Sequence, residues 1–177
     1  MRQIELITTG GTIEKTYDER AQRLANSGSV VHRMMRRLKL PETRVHVREL
    51  MSKDSLDLTD DDRDRIVRTV DAARRLTSSI VVLHGTDTLH LTGRAILHRV
   101  PGNEAAVVLT GAMRPFEMKR SDALQNLTEA LFASTVLPPG VWCVFHGRAM
   151  PFPNVAKDRD AGTFLATDPD AASPADG

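Results

Sequence analysis

The stretch IELITTGGTIEK, residues 4–15, runs from a β-branched apolar start into two glycines fenced by threonines. Ile4, Leu6 and Ile7 suit a buried strand, and Thr8-Thr9-Gly10-Gly11-Thr12 ends it abruptly. A glycine pair serves either a tight turn that needs positive φ or a place where backbone must come close to something else. A phosphate cradle is the wrong chemistry here, because neither a G-x-G-x-x-G pattern nor a P-loop lysine follows. What remains is close backbone approach, with the Thr12 hydroxyl presented at the start of the next segment.

Working outward, short apolar runs recur at residues 4–8, 44–47, 80–84, 105–110 and 141–145, each reading as a strand. Between them, residues 30–38, 60–76, 88–98 and 122–135 have helical character. Strand and helix alternate, which predicts an α/β fold: three layers, with a mostly parallel sheet and helices on both faces. The clearest helix opens at Thr59, a natural N-cap followed by three aspartates, and carries Ile66, Val67, Val70, Ala73 and Leu76 as its apolar stripe. The 177 residues, 41% of them apolar, suffice for one core. A single catalytic domain is expected over residues 1–165, with a loose tail at 166–177 where Pro, Asp and small residues offer nothing to bury.

The charges balance near +1, so no global field recruits nucleic acid or a membrane surface. Cys143 is the single cysteine and closes no disulfide within the chain, which suits a reducing compartment. The opening residues lack the apolar core of a signal peptide, and a cytoplasmic location is the expectation.

In open parallel sheets, ligands sit beyond the carboxyl ends of the strands. Three such ends carry glycine with a reactive or charged neighbour: 9–12, Gly85-Thr86-Asp87-Thr88, and 111–115. A threonine hydroxyl attacks only if a nearby group takes its proton. Thr86 beside Asp87 reads as a helix cap or as part of a proton relay. An arginine cannot supply an amine base near neutrality but a lysine can, and Lys157, just past the fifth strand, is the candidate. Tyr17 is the only tyrosine.

These residues resemble a known family. TTGGTIE (8–14), VVLHGTDTL (81–89) and VVLTGAMRPFEMKRSDALQNL (107–127) are together similar to the bacterial-type L-asparaginases, over residues 3 to about 165. The resemblance implies hydrolysis of the side-chain amide of L-asparagine to L-aspartate and ammonia by double displacement, without metal or organic cofactor. It implies Thr12 as nucleophile, assisted by Tyr17, with Thr86, Asp87 and Lys157 as the relay. Gly11, Ser55, Thr86, Asp87 and Ala112 would bind substrate: Ser55 its carboxylate, Asp87 its α-amino group, and the Ala112 carbonyl the leaving nitrogen. Backbone N–H groups at Thr86 and near Thr12 would face the oxyanion.

Secondary glutaminase activity follows, because one methylene discriminates modestly. Two departures stand out. DSLDLT (54–59) has Leu56 where the family often has a glutamine that contacts the amino group. Typical relatives are also about twice as long, which makes this chain similar to a short form reduced to the catalytic domain. The small-molecule substrate would be the main partner, with self-assembly through an exposed apolar helix face left open. The alternatives are hydrolysis of another small amide, or a non-catalytic amino-acid-binding module of the same fold. The polar loop at 13–28 is expected to be mobile.

Overall fold

The computed structural model describes residues 1–100 and 104–167. Its centre is a six-stranded sheet made of β1 (Arg2–Gly10), β4 (Thr43–Lys53), β5 (Ser79–Leu83), β6 (Ala106–Thr110), β7 (Gly140–Phe145) and β8 (Arg148–Pro151), in the order β4-β1-β5-β6-β7-β8. The first five strands run parallel and β8 returns antiparallel on β7. Two short antiparallel hairpins, β2 (Thr16–Asp18) with β3 (Arg23–Ala25) and β9 (Val155–Asp158) with β10 (Thr163–Ala166), lie outside it.

The central strands are apolar throughout because both of their faces are covered. Ile80 and Val82 of β5 pack into one cluster with Ile66, Val67 and Val70 of α2 (Asp60–Ala73) and Ile96 of α3 (Leu89–Arg99). Val81 and Leu83 point the other way, into a cluster with Val31 and Met34 of α1 (Val31–Met35) and Leu127, Ala130 and Leu131 of α4 (Ala123–Ala133). The expected three layers are therefore present.

At the sheet edge, β4 is longer than its apolar run at 44–47 suggests. It continues through Arg48 to Lys53 because pairing with β1 holds it, and an edge strand tolerates outward charge. Within this pair Glu5, 6% exposed, accepts from Arg48 Nε at 2.6 Å and faces His46 Nδ1 at 2.7 Å.

Thr59 caps α2 as expected, in a reciprocal box with Asp62. Leu76 does not join the stripe. The helix ends at Ala73, the chain turns through a Leu76 N–H bond to the Ala73 carbonyl, and the side chain is left 75% exposed. α1 likewise stops at Met35, short of Leu38. Cys143 is buried on β7, and burial pushes its thiol well above the usual range, so it is a packing residue. A loose tail is expected from 166, but Ala166 is the last residue of β10 and pairs with Val155; the rest of the expected tail, residues 168–177, lies outside the described residues. Among the described residues no helix is long and apolar enough to cross a membrane.

Gly93 of α3 faces the ring of Phe152, which is 7% exposed and leads into β9. A Cβ there would stand 2.1 Å from a ring carbon. Gly93→Ala gains roughly 1 kcal/mol of helix propensity but overpacks a core site, which costs about 1–3 kcal/mol. The denaturation midpoint should fall, and a rise would show that Phe152 has room to move.

Candidate active site

Chain order places the site. From β1 the sheet grows first to β4 on one side and then to β5 on the other, so β1 and β5 flank the point where the winding reverses, and it is beyond the carboxyl ends at such a point that open α/β sheets hold ligands. Thr12 follows β1 and Thr86 follows β5. The two loops touch through glycines: a Cβ on Gly11 would lie 2.4 Å from both the Cα and the N of Gly85. Gly11 also has φ 77°, in the left-handed region, so any side chain there would be strained as well as crowded. Its N–H donates to the Lys53 carbonyl at 2.8 Å, tying the turn to the end of β4.

The loop after β4 packs from the other flank of Gly85. A Cβ on Gly85 would meet Ser55 Cβ at 2.5 Å and Oγ at 2.7 Å. Ser55 is 1% exposed and its hydroxyl has no partner among the described residues. Its carbonyl accepts from Thr88 Oγ1 at 2.8 Å, which ties it to the loop after β5. On the far side, a Cβ on Gly111 would lie 3.3 Å from Thr86 Cγ2, which brings the loop after β6 into the same wall.

Beside Thr86 stands an amine. Lys157 of β9 donates to Thr86 Oγ1 at 2.8 Å and to Asp87 Oδ1 at 3.0 Å, and its side chain is only 14% exposed. Asp87 Oδ1 is shared with Arg159 Nη2, also at 3.0 Å. Among the described residues the Thr86 N–H finds no protein acceptor. The cluster therefore joins a hydroxyl, a largely buried amine, a carboxylate bonded to that amine, and an amide donor without a protein acceptor among the described residues.

Buried groups hold these loops in place. His84 is fully buried, with Nδ1 2.7 Å from the Gly85 carbonyl and Nε2 2.8 Å from Thr92 Oγ1. A carbonyl only accepts, so Nδ1 carries the proton and Thr92 donates to Nε2. Burial pushes the imidazole down to about 4, so it stays neutral and fixes the peptide before Thr86.

Glu14 is fully buried under the Thr12 turn, accepting from Gly10 N–H at 3.0 Å and from the Ser29 hydroxyl. Burial raises it to about 7, against the smaller opposing pull of the Ser29 and Gly10 donors.

On the third loop, Asp122 accepts from the Met113 and Arg114 N–H groups at 2.9 Å and lies 2.9 Å from His146 Nε2. Burial raises its carboxyl, but these donors outweigh burial and hold it below the ordinary value. Asn126 completes the clamp, donating to the Gly111 carbonyl at 3.0 Å.

The fold thus gathers Gly11, Ser55, Thr86, Asp87 and Lys157 into contiguous loops. Ala112 is buried between Gly111 and the clamped Met113. Tyr17 is not gathered in: it is 58% exposed on β2. The stretch read as a polar loop is a hairpin, tied back by Asn26 Nδ2 to the Gly11 carbonyl at 2.9 Å. Glu14, His84, Asn126 and His146 escaped the sequence reading. Glu14, His84 and Asn126 do lie inside the quoted motifs, which was the available signal; His146 lies outside them.

Comparison with known proteins follows the same outline. The family described as asparaginase, N-terminal, matches residues 3–166. The L-asparaginase of Thermococcus kodakarensis is 30% identical over 157 residues, which is 89% of this chain and 48% of that protein. Its structure superposes with a TM-score of 0.84 over 93% of this chain and 51% of that one, at 28% identity. L-asparaginase I from Vibrio cholerae gives a TM-score of 0.80 at 26% identity, over 93% of this chain and 51% of that one. The chain spans about half the length of the relatives it matches.

Glu14 and His84 predict opposite pH responses. Glu14 binds its proton more tightly folded than unfolded, so it favours the folded state at low pH. That advantage is lost as pH rises from about 4.5 to about 7. His84 has its folded value depressed, so its contribution is present above about 6.5 and is lost as pH falls toward about 4. In Glu14→Gln the first slope disappears. Urea midpoints should then rise with pH between 4 and 6.5, and the variant should overtake the unaltered chain at pH 8 by up to ~3 kcal/mol at 1.36 kcal/mol per pKa unit. Parallel curves for the two proteins would refute the assignment.

Proposed function

The chain belongs to the asparaginase family through its N-terminal domain, and from that membership we propose that it hydrolyses the β-carboxamide of L-asparagine, or of a close derivative, to the acid and ammonia. Residues 1–165 would act as one catalytic unit. The observation that carries the reading is the partly buried Lys157 amine, 2.8 Å from the Thr86 hydroxyl in the crevice that also receives the Thr12 turn.

Thr12 Oγ attacks the amide carbon, and its proton passes through the Thr86 hydroxyl to the Lys157 amine as the C–O bond forms. Negative charge gathers on the amide oxygen, where the Thr86 N–H and the turn amides at Thr12 lie ready to donate. The C–N bond then breaks, and the leaving nitrogen, held by the Ala112 carbonyl, takes that proton back from Lys157 and departs as ammonia. Water, deprotonated by Thr86 and Lys157 acting together, attacks the Thr12 ester. The acid is released and the Thr12 hydroxyl is restored. Asp87 orients Lys157, Ser55 receives the substrate carboxylate, and Tyr17 takes part only when the β2–β3 hairpin swings toward the substrate. Glutamine, one methylene longer, is turned over more slowly.

Thr12→Ala and Thr86→Ala, assayed separately for ammonia release, should each lose turnover by roughly a thousandfold or more, with circular dichroism and melting midpoint retained. Lys157→Met should follow Thr86→Ala, and the double variant should fall little further, because the two act as one unit. Full turnover in either threonine variant would end the proposal.

A further inference from the structure

The hairpin that carries Lys157 lies outside the main sheet, so its placement rests on what it touches. Phe164 of β10, fully buried, packs its ring 5.0 Å from that of Phe145 at the end of β7. Such a contact fixes depth better than angle, because apolar burial is non-directional. A directional tie stands beside it: Thr163 Oγ1 lies 3.1 Å from His146 Nδ1. In the β9–β10 ladder Thr163 pairs with Asp158 and Phe164 with Lys157, so this tie meets the hairpin at the level of the amine.

The other ring nitrogen reaches the loop after β6. His146 Nε2 is 2.9 Å from Asp122 Oδ2, the oxygen that also accepts from the Met113 N–H. Against burial, its donors hold Asp122 below the ordinary carboxyl range, so it only accepts and Nε2 carries a proton. Thr163 can then donate to a bare Nδ1 or accept from a protonated one, and the link survives either charge state.

His146 and Gly147 form the two-residue turn between β7 and β8, with φ 48° and 77°, positive at both positions as in a type I′ turn. Asn, Asp or Gly is the usual first residue there, so the histidine is explained by its ring rather than by the turn. Helix α4 holds the turn: Asn126 Oδ1 accepts from the His146 N–H at 3.2 Å and Glu129 Oε2 from the Gly147 N–H at 2.8 Å. Asp122, His146 and Thr163 stand in the order of a catalytic triad, but Thr163 is 7% exposed, so the trio is a strut between two elements rather than a nucleophile with its base.

We propose that His146 is a positioning residue: its imidazole joins the loop bearing Ala112 to the hairpin bearing Lys157 and holds the leaving-group acceptor and the amine at one separation. The proposal rests on the amide-hydrolysis reading for its effect on turnover but not for the mechanical link. A misplacement of about 1 Å between such groups costs turnover up to ~100-fold.

The test perturbs one end and reads the other. Thr163→Val removes the hydroxyl from the hairpin, and Thr163→Ser keeps it. Hydrogen exchange of the Met113 and Arg114 amides, followed by NMR, should quicken at least about tenfold in Thr163→Val while the β5 amides keep their rates. The kcat for ammonia release from L-asparagine should fall about tenfold or more with KM within about threefold, and Thr163→Ser should restore both readouts. His146→Gln, whose amide can replace Nε2 but not Nδ1, should reproduce Thr163→Val, and it decides the matter if that variant does not fold.

In a chain that releases ammonia, unchanged exchange at Met113 and Arg114, unchanged kcat, a loss carried by KM alone, or the same loss in Thr163→Ser overturns the proposal. So does equal quickening of the β5 amides, which marks a loss of global stability only. No ammonia from the unaltered chain, with quickened exchange confined to the loop after β6, removes the hydrolytic reading and leaves the strut standing. No ammonia, with exchange unchanged or quickened everywhere, removes both.

Discussion

The site depends on one contact between backbones. Gly11 and Gly85 approach so closely that a single added carbon on the former would lie 2.4 Å from the latter, and this closeness lets two hydroxyl-bearing loops share one crevice. Neighbouring parallel strands are about 4.8 Å apart, so loops leaving them must either diverge or meet without side chains. Here they meet, and the positive φ at Gly11 turns the chain so that Thr12 follows at once. Ser55 fills the opposite flank of Gly85 and leaves that peptide little freedom.

Around this contact, each loop is held from behind by a different polar device. Glu14 takes the Gly10 N–H under the first loop, neutral His84 holds the Gly85 carbonyl under the second, and Asp122 and Asn126 clamp the third. Unpaired, each would carry a desolvation penalty of about 1–3 kcal/mol or more. Paired, they convert burial into rigidity. The opposite titrations of Glu14 and His84 have a common origin, since burial disfavours whichever form is charged.

The amine comes from elsewhere in the chain. Lys157 sits on β9, a hairpin strand outside the main sheet, and reaches Thr86 across a sequence separation of 71 residues. The same hairpin carries Arg159, so it sets both a lysine and an arginine on one oxygen of Asp87. The charge balance at Asp87 is therefore set by the hairpin as much as by the loop that bears the carboxylate.

Several features were legible in the residue order. Continuous apolar runs marked the four buried parallel strands, because only a strand covered on both faces can be apolar throughout, and the alternation with helices implied three layers. Thr59 announced its helix. The glycine and threonine loops, with Lys157, were legible because close approach and proton transfer admit few residue types. The polar half of β4, the hairpins and the stopping point of α2 at Ala73 were not, since pairing and turning there overrode composition. Nor were Glu14, His84, His146 and Arg159, whose meaning lies in what surrounds them. By itself the sequence determined which chemical groups the loops carry. Only the tertiary structure decided which of them meet and in what charge balance, because burial and long-range pairing are properties of neighbours distant along the chain.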